Sequence, residues 1–407
     1  MILDALLYLG PDHHEVTLNY FNGTDWDSAY EVGARYGEII KSLEPGYEFL
    51  IDAYLEDISS VDGYAAVMAR VAEFKPDIPE EYRDEIEGLA SRFSPGAGNV
   101  TGDGRLSVDE VYAFNLIPDI IVMTPACTAL SVHDGFSSTG SPLVGRVLDW
   151  YGGTARNYLA PLQAAVTIWV PPPRRSICLI GYLGFLGVIT AINNRDVFGA
   201  IIDSPLTPGY TAVDKRSFAF DLRYAMENFE MKYEMADYMK DPARDYAFNH
   251  LIFLADATDA LLVENDVKKP YRATRTPLSP LNPLVTWEYP DALGAVNSFL
   301  LVESTDNHTV YSVNTARWQS LRTLLSTLGV DGVITPGEFE LILGFDNGDG
   351  PDSMATGDIY NYYPPSKWGT QQIVIFEPAA GALRVFFCPR SGVLPGDPVF
   401  TDIPYPF

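Results

Sequence analysis

The sequence predicts a layered α+β fold with antiparallel sheets. Three observations carry this. Residues 27–126 read mostly helical, and the texture turns apolar and β-branched after Cys127. The chain also lacks the regular strand–helix alternation of a doubly wound parallel sheet.

The elements follow in order. "EEYRDEIEGLASRF" (80–93) sets Tyr82, Ile86, Leu89 and Phe93 at helical spacing. "SVDE" (107–110) is a capping box, so a second helix starts near Ser107 and runs through Val111, Phe114 and Leu116. Beyond Cys127, "CTALSV", "AAVTIWV" (164–170), "SICLIGYLG" (176–184) and "VFGAIID" (197–203) read as strands bounded by Gly, Pro and Asn. One helix interrupts them over 221–239, with Leu222, Met226, Phe229, Tyr233 and Ala236 on one stripe. A strand is expected at "SFLLVES" (298–304), then helices near 315–328 and 336–343. "QQIVIFEP" and "ALRVFF" (382–387) close the chain as a hairpin. No internal repeat or low-complexity tract is present.

Composition narrows the function. The chain has 407 residues, 47% of them hydrophobic, enough for a large core. Lys plus Arg number 27 against 54 Asp plus Glu, a net charge of −27. Such a surface repels phosphate backbones and anionic lipid, so no nucleic-acid partner is expected. The longest apolar run, 178–193, is broken by three glycines and falls short of the ~20 residues a membrane span needs. No signal peptide is read at Met1, and that start does not fix the compartment. Triplets N-x-S/T at Asn22, Asn99 and Asn307 are a weak pointer to secretion. Three cysteines are too few for a disulfide framework; a Cys178–Cys388 pair is left open by the sequence.

The chemistry centres on Cys127. "GRVLDW" (145–150) begins eighteen residues later, beyond the turn "DGFSSTGSP". Two strands joined by that turn bring Arg146 or Asp149 back to the thiol, supplying orientation and charge control. Histidine is a poor base here. His133 is six residues on, roughly 20 Å along a strand, and His13, His14, His250 and His308 have no local partner. A chain cut before Cys127 would instead offer its own α-amine, with a pKa of about 7.7–8.0, as the base. The competing expectation is that Cys127 is a small core residue and Arg146/Asp149 a structural ion pair.

"ACTALSV", a loop and "GRVLDW" resemble the nucleophile signature of the acid ceramidase and N-acylethanolamine acid amidase family. Its relatives include choloylglycine hydrolases and penicillin acyltransferases. Looser similarity runs through "EVTLNYFNGTDW" (15–26), "EIEGLA" (85–90), "LSVDEVYAFNL" (106–116), 181–203, "DLRYAMEN" (221–228) and "AVNSF" (295–299). Ala129, Val147 and Asp203 depart from the family pattern.

The resemblance implies a four-layer αββα N-terminal-nucleophile sandwich preceded by a helical segment. It implies autocatalytic cleavage of Ala126–Cys127 into 1–126 and 127–407, which stay together as one globular heterodimer. Cys127 would be the nucleophile, Arg146 and Asp149 the orienting pair, and Asn297 an oxyanion-hole donor. Asp203 and Arg317 are further substrate or oxyanion candidates. The implied activity is hydrolysis of an N-acylated amine, with a lipophilic small molecule as partner and no cofactor; in a eukaryotic host the implied compartment is lysosomal or secretory. Acyl transfer is the alternative within enzymes, and a non-catalytic calcium-stabilised secreted protein is the alternative outside them. Two acidic loops are calcium candidates: 99–110, with Asp103 and Glu110, and 346–358, with Asp346 and Asp349.

Overall fold

The computed structural model describes residues 8–60, 62–121, 127–204, 211–267, 272–302, 312–348, 357–361 and 368–407. Ala126, Asn307, Asp349, and residues 303–304 of the expected strand lie outside them.

Two strands open the described chain, β1 (Tyr8–Leu9) and β2 (His14–Asn19). Five helices and a single turn follow: α1 (Ala29–Leu43), α2 (Tyr47–Ser59), α3 (Tyr64–Phe74), α4 (Glu80–Ala90), α5 (Val108–Asn115) and α6 (Ile117–Ile120). The expected capping box is formed, with the Ser107 side chain and Glu110 closing the start of α5. Tyr82, Ile86 and Leu89 are buried along α4 as their spacing predicts.

Among the described residues, the strands then build two sheets. The larger has nine strands in the order β1, β2, β5 (Gln163–Trp169), β6 (Ile177–Tyr182), β7 (Thr190–Asn193), β8 (Phe198–Asp203), β9 (His250–Ala255), β10 (Ala260–Asn265) and β11 (Arg272–Arg275). Its one parallel pair is β2 with β5. The N-terminal segment is therefore helical with two strands of its own in the sheet. The smaller sheet has the order β12 (Ala292–Val296), β3 (Thr128–Val132), β4 (Leu143–Tyr151), β13 (Trp368–Glu377), β14 (Ala382–Phe387) and β15 (Thr401–Ile403), all antiparallel.

Alternation along β4 explains the layers. Val144, Leu148 and Trp150 join the apolar cluster shared with the nine-stranded sheet. Leu143 and Val147 join a second cluster beneath α9 (Ser312–Leu328) and α10 (Pro336–Leu343). On the far side of the larger sheet, α7 (Phe218–Asn228) packs on β7 and β8, and α8 (Lys232–Met239) on β9 and β10. The architecture is helix, sheet, sheet, helix, the four-layer α+β sandwich that the resemblance implies.

Two expected elements differ. The single helix over 221–239 is broken into α7 and α8. The carbonyls of Met226 and Glu227, which would continue the helix, accept instead from Asn193 Nδ2 at 2.9 Å and from the Arg175 amide at 2.7 Å. Phe229 is extended (φ −110°, ψ 155°), and Glu234 accepts from the Glu230 and Met231 amides to start α8. Tyr233 consequently leaves the stripe and is exposed. The strand expected at 298–304 lies upstream, as β12. The Leu300 and Leu301 amides donate to the buried Glu264 carboxylate at 2.9 and 3.3 Å rather than to a neighbouring strand.

Candidate active site

The β3–β4 hairpin pairs Thr128 with Val147 and Ala129 with Arg146. That register carries Arg146 back to the residue just before β3. Arg146 Nη2 donates to Cys127 Sγ at 3.3 Å. The same guanidinium reaches the Ile201 carbonyl at 3.0 Å and Thr190 Oγ1 at 3.4 Å, so it ties the two sheets together. Gly145, beside it, faces α10 so closely that a Cβ would meet Leu343 at 2.3 Å, which explains the "GR" pair.

Between the sheets is a narrow cavity. Its walls are apolar: Tyr54 from α2, Phe114 from α5, Leu148 and Trp150 from β4, then Phe185, Ile189 and Ile201. Cys127, Arg146, Asp203 and Tyr182 supply its polar groups. Phe114, Ile117 and Pro118 come from the stretch before the cysteine, and Tyr182, Phe185 and Ile189 from 181–189. Asn115 holds these walls in place: its Nδ2 donates to the Gly184 carbonyl at 3.0 Å, and its Oδ1 accepts from the Leu186 amide at 2.7 Å. Gly184 sits at φ +78° with Tyr47 Oη 2.0 Å from where a Cβ would stand, so only glycine fits there.

The electrostatics separate Cys127 from the other cysteines. All three are free, so Cys178 and Cys388 do not pair. Burial pushes both of those thiols up to about 12. Burial raises Cys127 too, but the adjacent Arg146 charge pulls it back. Asp203, at the end of β8, is pushed up to about 7 by burial, against the pull of Arg146. It therefore holds its proton until near neutrality. The residue is half-buried, yet its Oδ1 is sealed from solvent and has no hydrogen-bond partner among the described residues.

The remaining candidates divide between two places. Asp149 lies on the face of β4 opposite Arg146, towards α9. There it pairs with Arg317 and accepts from Asn361 and, at 2.6 Å, from Thr370 Oγ1. Burial raises its pKa against the pull of Arg317. Arg317 also donates to the Asp358 carbonyl at 2.9 Å. Asn297, at the end of β12, donates from Nδ2 to the Asp203 carbonyl at 2.6 Å, and its own carbonyl accepts from Asn314. Val147 points into the second core, away from the cavity.

Sequence reasoning missed Tyr54, Tyr182, Asn361 and Thr370. Trp150 was accessible, since it follows Arg146 and Leu148 on the same face of one strand. Nothing local marks the others.

None of the described histidines lines the cavity. His250 is buried between Phe218 and the Asn265 amide, and burial lowers it to about 3. In the acidic loop 99–110, Glu110 accepts from Ser107 and Tyr64, and Asp103 from the Arg105 amide. The Asp52 carboxylate gathers the Gly102 and Gly104 amides at 2.8 and 2.7 Å. Among the described residues, no three His, Cys, Asp or Glu side chains converge as a metal-binding set. No described helix is long and apolar enough to cross a membrane.

Solved structures show what the chain is similar to. A Caenorhabditis elegans ortholog of N-acylethanolamine-hydrolyzing acid amidase matches with a TM-score of 0.41 and 15% identity, over 62% of this chain and 93% of that one. A conjugated bile acid hydrolase from Clostridium perfringens matches at 0.40 and 14%, over 68% and 92%. Penicillin V acylase from Agrobacterium tumefaciens matches at 0.38 and 11%, over 68% and 86%. No family model and no curated protein matches the chain. These names belong to the group that the cysteine signature resembles. At this identity and TM-score the likeness carries no argument, and function rests on the site itself.

Proposed function

We propose that the protein is a cysteine amidohydrolase that cleaves the carboxamide of an N-acylated amine, with Cys127 as nucleophile. The supporting observation is the Cys127 thiol in an apolar cavity, 3.3 Å from the Arg146 guanidinium. Burial keeps the thiol protonated, so attack requires a base. In this scheme the chain is cut between Ala126 and Cys127, and the freed α-amine of Cys127 takes the thiol proton. The thiolate attacks the amide carbon. Collapse of the tetrahedral adduct breaks the C–N bond, and the α-amine returns the proton to the departing amine. Water then hydrolyses the thioester and releases the acid.

Arg146 stabilises the thiolate. Neutral Asp203 offers a proton donor to the oxyanion, and Asn297 positions Asp203 through its carbonyl. Asp149, fixed by Arg317, braces the strand that carries Arg146. The apolar walls favour a lipophilic acyl group at about 0.8 kcal/mol per buried CH₂. An N-acylethanolamine series tests this. Lengthening the acyl group by four carbons is expected to raise kcat/KM by up to about two decades. A flat profile beyond two carbons removes the lipophilic assignment, and full turnover by Cys127→Ala removes the nucleophile.

A further inference from the structure

We propose that the Tyr182 hydroxyl is the hydrogen-bond donor that receives the carbonyl oxygen of the bound acyl group, so that the cavity selects a ligand with a polar acceptor beside its apolar chain. This rests on the Cys127 cavity being the substrate site.

Tyr182 ends β6 and is only 4% exposed, with its ring forming part of the cavity wall. Its Oη is sealed from solvent and has no partner among the described residues. Four other buried tyrosines are satisfied. Tyr54 Oη accepts from Trp150 Nε1 at 2.9 Å and donates to the Tyr151 carbonyl at 3.0 Å. Tyr36 accepts from the Gly184 amide, Tyr246 reaches Asp221, and Tyr360 reaches the Pro395 carbonyl. A buried hydroxyl without a partner costs stability. Phenylalanine would build the same wall without that cost. Tyrosine at this position therefore provides a donor that is free until a ligand arrives. Tyr182, Arg146 and Cys127 line the same cavity, so this tyrosine belongs to the pocket that holds the thiol. Burial holds its pKa far above the usual range, so it remains a donor at any working pH.

Tyr182→Phe in the full chain tests this through two readouts that need no turnover. The first is Tm, expected to equal or exceed that of the parent because an unpaired hydroxyl is removed. The second is alkylation of Cys127, followed by peptide mass. Iodoacetamide carries an amide carbonyl and allyl bromide does not. The ratio of their rates at Cys127 is expected to fall about tenfold in Tyr182→Phe, the scale of one hydrogen bond. Where the parent hydrolyses amides, kcat/KM falls by a similar factor with the chain-length slope unchanged. A shifted alkylation ratio in a protein that hydrolyses nothing supports the Tyr182 contact and removes only the hydrolase reading. An unchanged ratio overturns the proposal, as does a lower Tm or a Cys127 that neither reagent reaches. An ordered water held by the hydroxyl would leave the ratio unchanged.

Discussion

Arg146 reaches the thiol, a carbonyl of β8 and a hydroxyl of β7 with one planar group, and lysine cannot reproduce that fork. Arg146→Lys should therefore lower turnover by at least about 10²-fold and move the pH midpoint of Cys127 alkylation upward. Parental values for both would leave Arg146 a bystander. Asp203 gives a pH prediction. Its pKa is raised from the usual carboxylate range to about 7, so the fold favours the neutral form. Its stabilising effect is complete below about pH 4 and is lost as pH rises through 7. Asp203→Asn should thus match the parent's Tm near pH 4 and exceed it increasingly up to pH 7. Parental kcat/KM should fall above pH 7 as the proton donor is lost, while Asp203→Asn, whose amide donates at all pH values, should not show that limb. The same limb in both proteins would assign the titration elsewhere. At this scale much was legible. The spacing of Cys127, a turn and Arg146 encodes a hairpin, and alternation along β4 puts Leu148 and Trp150 beside Arg146. Asp149 was harder to place, because an odd spacing from Arg146 sends it to the other face, where Asn361 and Thr370 meet it from distant sequence.

Among the elements, α4 and α7 are joined by a buried charge cluster. Arg223 lies between Glu85, at 2.5 and 2.8 Å, and Glu227, at 2.8 Å, and also donates to the Leu186 carbonyl. Tyr20 from just beyond β2 donates to Glu85, and Tyr82 to Glu227 at 3.2 Å. The cluster links residues before Cys127 to residues after it. Breaking such a pair from one side leaves a buried charge uncompensated, so Arg223→Leu should cost about 3–5 kcal/mol in chemical denaturation. A loss below ~1 kcal/mol would mean that water or Arg174 compensates. The helical spacing of α4 and the capping box of α5 were legible because local chemistry decides them. The break between α7 and α8 was not, since Asn193 and Arg175 take the helix carbonyls from across the fold. The shift of β12 has the same kind of cause, a distant Glu264 competing for two amides.

For the whole molecule, β2 determines how the two parts of the chain are held. It lies inside the nine-stranded sheet, paired with β5 over six residues from His14 to Asn19. If the chain is cut before Cys127, the pieces should run together on native size exclusion and separate only after denaturation. Separation under native conditions would contradict that sheet order. The α+β class was legible from texture alone, whereas the layer count came only from the resemblance of the cysteine signature. The parallel insertion of β2 was not, because six residues before a helical stretch do not declare their partner. The central claim is that Cys127 is an N-terminal nucleophile, and intact mass under denaturing conditions tests it most directly. The mature protein should give two masses, those of residues 1–126 and 127–407, and Cys127→Ala a single full-length mass. A parent that hydrolyses amides while its chain stays uncut, or a Cys127→Ala protein cut as the parent is, would contradict the account.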